Sequence, residues 1–214
     1  MNIAILGFGT VGSGVYDIVE NGDRRMRVTA IFIRPTHPAT MPEMTTNFDA
    51  ILADPTIDVV VEAIGGLHPA YDYILRALQH GKHVVTANKA VVAQHLPEFI
   101  TTAAQHHVRF YFEATTGGGI PWIRNLERAA RIDQIDTIEG IFNGTSNYIL
   151  DQMQRAHLDF DPVLLAAKDM GYAEADPSAD IDGDDVVNKL KISAALAYDC
   201  LLYTSPSPRD STSS

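Results

Sequence analysis

Apolar positions in the first 131 residues follow two alternating patterns. Short continuous apolar runs predict buried strands, and the stretches between them carry apolar residues at helical spacing. The predicted strands are residues 3–6, 28–33, 58–62, 82–85 and 108–112. Helices are predicted at residues 48–53, 68–81 and 122–130, and two further helical patterns end near residue 22 and near residue 106. Such an alternation is typical of an α/β fold with a Rossmann-type, doubly wound parallel sheet.

The pattern changes after residue 131. Residues 135–142 alternate apolar and polar positions as a half-buried strand does, and helical patterns follow at residues 143–154, at 162–170 and from about Asp184. We therefore expect one domain at residues 1–131 and the beginning of an α+β domain at residues 132–197. Residues 198–214 lose all periodicity and are rich in Ser, Thr and Pro, so we expect a disordered tail of non-native origin.

A glycine motif follows the first predicted strand. Gly7, Gly9 and Gly12 form the pattern G-x-G-x-x-G between that strand and a helix. In this context the glycines permit a tight turn, a close approach of the backbone to a pyrophosphate, and close packing of helix on strand. The motif predicts a dinucleotide site at the helix N-terminus, and a turn that serves only helix packing is the alternative.

The residue after the second predicted strand distinguishes the two nicotinamide cofactors. An acidic side chain there would bind the ribose 2′-hydroxyl of NAD(H), but the chain has Arg34 and no acid before Glu43. A guanidinium suits a 2′-phosphate, so we expect NADP(H) as the preferred cofactor and NAD(H) as the alternative. An ordinary solvated arginine would give the same pattern.

Two further segments reach the sheet edge where ligands of such folds bind. A glycine turn that contains Ile64 and Gly65 follows the third predicted strand, and Lys89 comes shortly after the fourth. Lys89 at this edge suits a substrate or nicotinamide role, and a surface cation is the alternative.

The turn at residues 113–121 has one carboxylate, Glu113, beside three glycines and a proline. An irregular turn of this kind exposes carbonyl oxygens, which are suitable ligands for a hard monovalent cation. A turn that is merely tight is the alternative.

Six carboxylates fall within twelve positions between residues 174 and 185. A hydrated surface is the usual interpretation of an acidic cluster. Asp185 and Lys189, however, are four residues apart, so they share one face of the helix predicted from about Asp184. This spacing favours a paired carboxylate and ammonium group.

Composition excludes several function classes. The 214 residues carry 16 Lys and Arg against 27 Asp and Glu, and this net charge of −11 argues against a nucleic-acid partner. The single cysteine, Cys200, cannot form an internal disulfide and does not lie in mid-chain, as the thiol nucleophile of an aldehyde dehydrogenase would. Because no basic leader and no apolar run of about 18 residues is present, we expect no membrane association and a cytoplasmic location.

Six segments taken together resemble the homoserine dehydrogenase family from residue 1 to about residue 197. They read GFGTVGSGV, VVVEAIGG, TANKAVVA, FEATTGGGIPWI, GIFNGTSNYIL and GYAEADPSADIDGDDVVNKLKI. The last segment is highly specific, whereas the first is generic to dinucleotide-binding proteins. The resemblance implies that residues 1–131 bind NAD(P), that residues 132–197 are part of a substrate and catalytic domain, and that the parent enzyme is a homodimer.

The resemblance also implies roles for individual residues. Lys189 would be the general acid/base, supported by Asp185, and Lys89 would lie between cofactor and substrate. The implied substrate contacts are Glu174, Asp180, Asp185 and Lys89. The implied cofactor contacts are Phe8, Thr10, Val11, Arg34, Ile64, Gly65, Lys89 and Gly171, in addition to the three glycines. The implied Na⁺ ligands are the Glu113 side chain and the carbonyls of Thr116, Gly118 and Ile120, with Thr116 where the family often has valine.

The implied reaction interconverts L-aspartate 4-semialdehyde and L-homoserine with NAD(P)H, on the route to threonine, methionine and isoleucine. Hydride addition to an aldehyde develops alkoxide charge, which needs a nearby cation and a proton donor. The two lysines can supply both. Two alternatives remain, an inactive nucleotide-binding fragment and a related reductase of another small amino-acid carbonyl compound.

Overall fold

A computed structural model describes residues 1–22, 25–173 and 177–198. The chain divides into two compact units, one at Met1–Pro121 and a second from Trp122 onward. None of the described helices is both long enough and apolar enough to cross a membrane.

The described part of the first unit contains a six-stranded parallel sheet with the strand order β3-β2-β1-β4-β5-β6. The strands are β1 (Asn2–Leu6), β2 (Arg27–Phe32), β3 (Met44–Thr45), β4 (Ile57–Glu62), β5 (His83–Thr86) and β6 (Phe110–Tyr111). The predicted Rossmann-type fold is confirmed. Only β3, a two-residue strand at the edge, had no apolar run that predicted it.

Helices pack on the sheet of the first unit. The apolar side chains of the strands are buried between the sheet and these helices. The helices are α1 (Thr10–Asn21), α2 (Phe48–Ala53), α3 (Ala70–Gln79) and α4 (Lys89–Gln105). Ile5, Val60 and Val84 are fully buried, as expected for parallel strands that are covered on both faces. Asparagine side chains cap two helices, since Asn47 Oδ1 accepts from the Ala50 N–H at 3.1 Å and Asn88 Oδ1 from the Val91 N–H at 3.4 Å.

The described residues of the second unit form helices without a strand. They are α5 (Trp122–Ala130), α6 (Gly144–Ala156), α7 (Phe160–Asp169), α8 (Ser178–Ile181) and α9 (Asp184–Tyr198). A small apolar cluster lies between α6 and α7 and includes Ile149 and Val163. The predicted start of a helix near Asp184 is confirmed.

The boundary between the units falls earlier than the predicted one after residue 131. Helix α5 follows the last strand of the sheet, so the alternating pattern placed it in the first domain. Its buried residues are Ile123 and Leu126, and it packs against α9 within the second unit. The Trp122 indole N–H also donates to the Ser193 hydroxyl of α9 at 2.8 Å.

The strand predicted at residues 135–142 is wrong. These residues have no regular secondary structure, and Ile141 is 78% exposed. A strand needs a neighbouring strand for its backbone hydrogen bonds, and no described segment of the second unit pairs with this one. Of the predicted tail at residues 198–214, only Tyr198 lies within the described residues, as the last residue of α9.

Candidate functional site

A cavity of about 710 Å³ opens in the first unit beside the carboxyl ends of β1, β2 and β4. Ligands of doubly wound sheets bind at this edge, where the chain leaves neighbouring strands in opposite directions. Six of the residues predicted to contact a cofactor line the cavity, namely Gly7, Phe8, Gly9, Arg34, Ile64 and Gly65. Thr10, Val11 and Gly12 follow directly in the first turn of α1.

The glycine turn packs too closely for a side chain at two of its three glycines. Gly7 has φ +93°, and an added Cβ would lie 2.9 Å from the Ala63 carbonyl oxygen. A Cβ on Gly12 would lie 2.0 Å from the Gly7 carbonyl oxygen. The space around Gly9 is open, and no side chain caps α1. The helix N-terminus therefore offers backbone N–H groups to an anion, which fits a dinucleotide pyrophosphate.

Arg34 is exposed and lines the cavity just beyond β2. A turn follows it, in which the His37 N–H donates to the Arg34 carbonyl at 2.9 Å. The arginine thus stands at the position where Rossmann folds distinguish a 2′-hydroxyl from a 2′-phosphate.

A buried carboxylate supports the second glycine turn of the cavity. Glu62, the last residue of β4, is 1% exposed. Its Oε1 accepts from the Ile64 N–H at 2.8 Å and from the Gly65 N–H at 3.0 Å, and its Oε2 accepts from the Thr86 hydroxyl at 2.6 Å. Glu62 therefore fixes the turn that lines the cavity and ties β4 to β5.

Phe8 packs against Tyr16, whose pKa is raised. The rings of Phe8 and Tyr16 meet edge to face with centroids 5.7 Å apart. Partial burial raises the pKa of the Tyr16 hydroxyl, and the nearby carboxylates of Glu20 and Glu43 raise this pKa further.

Lys89 is the first residue of α4, at the same edge of the sheet. The preceding Asn88 caps this helix, and its Nδ2 donates to the Gly66 carbonyl at 2.6 Å. Asn88 thereby joins the start of α4 to the glycine turn after β4.

The turn predicted to bind a cation begins with a short 3₁₀ helix, Glu113–Thr115. Gly117 and Gly118 have positive φ angles of 89° and 58°. The Thr116 side chain is buried, and its hydroxyl has no hydrogen-bond partner. A buried hydroxyl without a partner fits an oxygen-lined cation site. Among the described residues, no cluster of three His, Cys, Asp or Glu side chains could hold a metal, so such a site would depend on carbonyl oxygens.

In the described part of the acidic segment, residues 174–185, the buried Asp185 forms an ion pair with the partly buried Lys189. Lys189 Nζ lies 2.7 Å from Asp185 Oδ2, and the two side chains are 18% and 4% exposed. The Lys189 ammonium also donates to the Phe142 carbonyl at 2.6 Å. The predicted pairing on one face of the helix is thus present. Asp182 and Asp184 are exposed and match the hydrated-surface interpretation.

Asn143 links this ion pair to a further carboxylate. Its Nδ2 donates to Asp180 Oδ1 at 2.6 Å and to Asp185 Oδ2 at 2.9 Å. Gly171, with φ +76°, follows α7 in this unit. Glu174, the other predicted amino-acid ligand, lies outside the described residues.

Two family models together match most of the chain. The homoserine dehydrogenase NAD-binding domain matches residues 7–113, and the homoserine dehydrogenase domain matches residues 121–210. The chain belongs to the homoserine dehydrogenase family. The second match overlaps the predicted tail, whose non-native origin stays a prediction.

Curated homoserine dehydrogenases match over nearly the whole chain. The enzyme of Synechocystis sp. is 46% identical over 209 residues, which cover 92% of this chain and 48% of that protein. The enzyme of Pseudomonas aeruginosa is 39% identical over 210 residues, with the same two coverages of 92% and 48%. The chain therefore spans about half the length of the curated homoserine dehydrogenases that it matches.

Solved homoserine dehydrogenases share the fold. The enzyme from Thiobacillus denitrificans has a TM-score of 0.85 and 39% identity, and the match covers 93% of this chain and 49% of that one. A hyperthermophilic archaeal homoserine dehydrogenase in complex with NADPH has a TM-score of 0.83 and 25% identity, with coverages of 94% and 70%.

Membership in the homoserine dehydrogenase family confirms the predicted oxidoreductase class and NAD-binding domain. The roles predicted for individual residues stay predictions. No site role was predicted from the sequence for Glu62 or Asn143. An acidic residue at the end of an apolar run, directly before a glycine turn, was a signal for Glu62. For Asn143 the signal was an asparagine directly before a helix, which predicts a cap but not a contact with Asp185.

Proposed function

We propose that the chain catalyses the NAD(P)H-dependent interconversion of L-aspartate 4-semialdehyde and L-homoserine, with Lys189 as general acid/base. The observation that supports this most directly is the ion pair of the buried Asp185 with the partly buried Lys189, 2.7 Å apart. A partly buried ammonium group with a compensating carboxylate is suited to proton transfer at a reacting oxygen. The family supports the reaction class.

In aldehyde reduction, Lys189 Nζ gives a proton to the carbonyl oxygen as negative charge develops there. A bound NAD(P)H supplies the hydride that goes to the carbonyl carbon. The Asp185 carboxylate and the Phe142 carbonyl, which hold Nζ at 2.7 Å and 2.6 Å, fix the direction of the ammonium group. In alcohol oxidation the same nitrogen must first be deprotonated, and the neutral amine then takes up the hydroxyl proton while the hydride goes to a bound NAD(P)⁺.

Asp180, together with Glu174, would bind the ammonium group of the amino acid, because a carboxylate is the natural partner of a cation. Lys89 at the start of α4 would place positive charge between cofactor and substrate. In the acidic segment, Asp182 and Asp184 are exposed and serve hydration instead.

For the cofactor we propose NADP(H), with NAD(H) as a weaker alternative. The support is Arg34, whose exposed side chain lines the cavity just beyond β2, where Rossmann folds generally bind the ribose. A monovalent cation such as Na⁺ would be held by the Glu113 side chain and by the carbonyls of Thr116, Gly118 and Ile120. The buried Thr116 hydroxyl without a partner is consistent with this site.

Replacing the proposed proton carrier tests this function. We expect Lys189→Ala to lower homoserine oxidation with NADP⁺ by roughly 10²- to 10⁴-fold, because general acid/base catalysis is lost. NADPH affinity, measured by fluorescence titration, should stay within about twofold. Lys191→Ala, on the same helix, is the matched control and should retain wild-type turnover.

Two results would contradict the proposal. Retained turnover in Lys189→Ala would remove this residue from the chemistry, and an equal loss of NADPH binding would indicate a general loss of structure. NADPH binding without turnover in the wild-type chain would instead favour a nucleotide-binding unit without activity.

A further inference from the structure

Asn143 occupies the junction of three helices in the second unit. It directly precedes α6, is 6% exposed, and its Oδ1 accepts from the Ser146 N–H at 2.7 Å. This bond caps α6. A cap requires only an acceptor atom, and Asp or Ser supplies one about as well as Asn.

The other end of the amide makes contacts that a cap does not need. Nδ2 donates one hydrogen bond to Asp180 in α8, at 2.6 Å, and one to Asp185 in α9, at 2.9 Å. Both of its hydrogens are therefore used on carboxylates. Asp185 Oδ2, which accepts one of these bonds, also forms the ion pair with Lys189.

Two carboxylates that share one small polar group would repel each other if no donor lay between them. The amide supplies two donors and no net charge, so it brings Asp180 and Asp185 together without cancelling the charge that either carries. The Ser146 hydroxyl strengthens the arrangement, because it donates to the backbone carbonyl of Asp180 at 3.0 Å. An Asp at this position could cap the helix but could not donate, and a Ser has a single hydroxyl hydrogen.

We infer that Asn143 is a positioning residue, which holds the Asp180 carboxylate in a fixed relation to the Asp185–Lys189 pair. This inference rests on the proposed function, in which Asp180 binds the ammonium group of the substrate and Lys189 handles its hydroxyl proton. Homoserine carries both groups on one short chain, so their partners must keep a constant separation. Small errors in such positioning have large effects on rate.

The test is Asn143→Asp, which preserves the shape and the helix cap, removes both donors and places a third carboxylate against Asp180 and Asp185. For this variant we expect a higher KM and a lower kcat for homoserine, with kcat/KM reduced roughly 10- to 100-fold, the usual effect of unpairing a buried polar group. The KM for NADP⁺ should not change. Asn143→Ser, which keeps the cap and one donor, should retain more activity than Asn143→Asp.

The matched control is Asn47→Asp, because Asn47 caps α2 through the same kind of bond, to the Ala50 N–H at 3.1 Å, in the other unit. It should leave all kinetic constants at wild-type values. Wild-type homoserine kinetics in Asn143→Asp would overturn the inference. An equal rise in the KM values of homoserine and NADP⁺ would also overturn it, since that pattern indicates a general structural effect.

A double-mutant cycle separates this inference from the proposed function. Urea unfolding is measured for Asn143→Ala, which removes both donors, for Asp180→Ala and for the double variant. We expect the midpoint shift of the double variant to be smaller than the sum of the two single shifts, because the residues share a bond. Additive shifts would overturn the inference even if the chain turns over homoserine. A wild-type chain without turnover, but with non-additive shifts, would contradict only the proposed function.

Discussion

At the residue scale, the proposed preference for NADP(H) depends on Arg34. The side chain is exposed, lines the cavity and comes directly after Ile33, a buried residue that follows β2. The backbone at this position is fixed by the sheet, since the Ile33 N–H donates to the Thr45 carbonyl at 2.9 Å. A guanidinium can bind a phosphate through two parallel hydrogen bonds, and it gains nothing comparable from a ribose hydroxyl.

Reversing this charge should therefore change the preference. We expect Arg34→Asp to weaken NADPH binding by roughly 10- to 100-fold, through lost hydrogen bonds and added repulsion, and to leave NADH binding equal or stronger. Kd values for both nucleotides, measured by fluorescence titration, check this. Arg27→Asp, at the opposite end of β2, is the control of equal charge. An unchanged ratio of the two Kd values would exclude Arg34 from the 2′-phosphate site.

At the scale of elements, the glycines of helix α1 determine how closely its N-terminus packs beside the cavity. The helix contains Gly12 and Gly14, only two positions apart, in very different surroundings. Gly12 is buried against the turn at Gly7, whereas an added Cβ on Gly14 would meet nothing within 4 Å. The close approach at Gly12 places the N-terminus of α1 beside the cavity, and Gly14 only lowers the stability of the helix.

The two glycines should respond in opposite directions to alanine. Gly12→Ala places a Cβ 2.0 Å from the Gly7 carbonyl oxygen, so the turn must move; we expect a loss of about 3 kcal/mol in the free energy of unfolding and much weaker NADPH binding. Gly14→Ala should stabilise the chain by about 0.5–1 kcal/mol, because glycine is a poor helix former. Urea unfolding and NADPH titration measure both effects. Equal effects of the two substitutions would contradict the packing described for Gly12.

At the scale of the whole molecule, each of the two units contains an apolar cluster among its described residues. The core of the first unit lies around the sheet and includes Ile5 and Ile31, whereas that of the second includes Ile149 and Val163. The residues that line the cavity belong to the first unit. The single tryptophan, Trp122, belongs to the second, where it contacts Ser193 and Phe142.

This division predicts a selective effect of the nucleotide. At a NADP⁺ concentration of 100 times Kd, we expect the first unit to gain about 2.7 kcal/mol in unfolding free energy. Both units contribute helices to the circular-dichroism signal, so only the part of that transition that comes from the first unit should move to higher urea, while the transition followed by Trp122 fluorescence should stay in place. An equal shift of both transitions would show that the two units unfold together.

Sequence by itself determined the features that depend on near neighbours in the chain. The alternating strands and helices, the glycine turn and the Asp185–Lys189 pair all follow from spacings of a few residues, because strand pleat and helix pitch fix which side chains share a face. Local alternation also misled, since it predicted a strand at residues 135–142 that has no partner among the described residues of its unit.

Tertiary structure alone decided the contacts between distant segments. Glu62 meets the Thr86 hydroxyl across 24 residues of sequence, and Asn143 meets Asp180 and Asp185 across 37 and 42 residues. Such contacts depend on how whole elements pack, which no local spacing records. The sequence therefore determined which residue types are present for the chemistry, and the packing of the helices decided that an amide holds two of the carboxylates together.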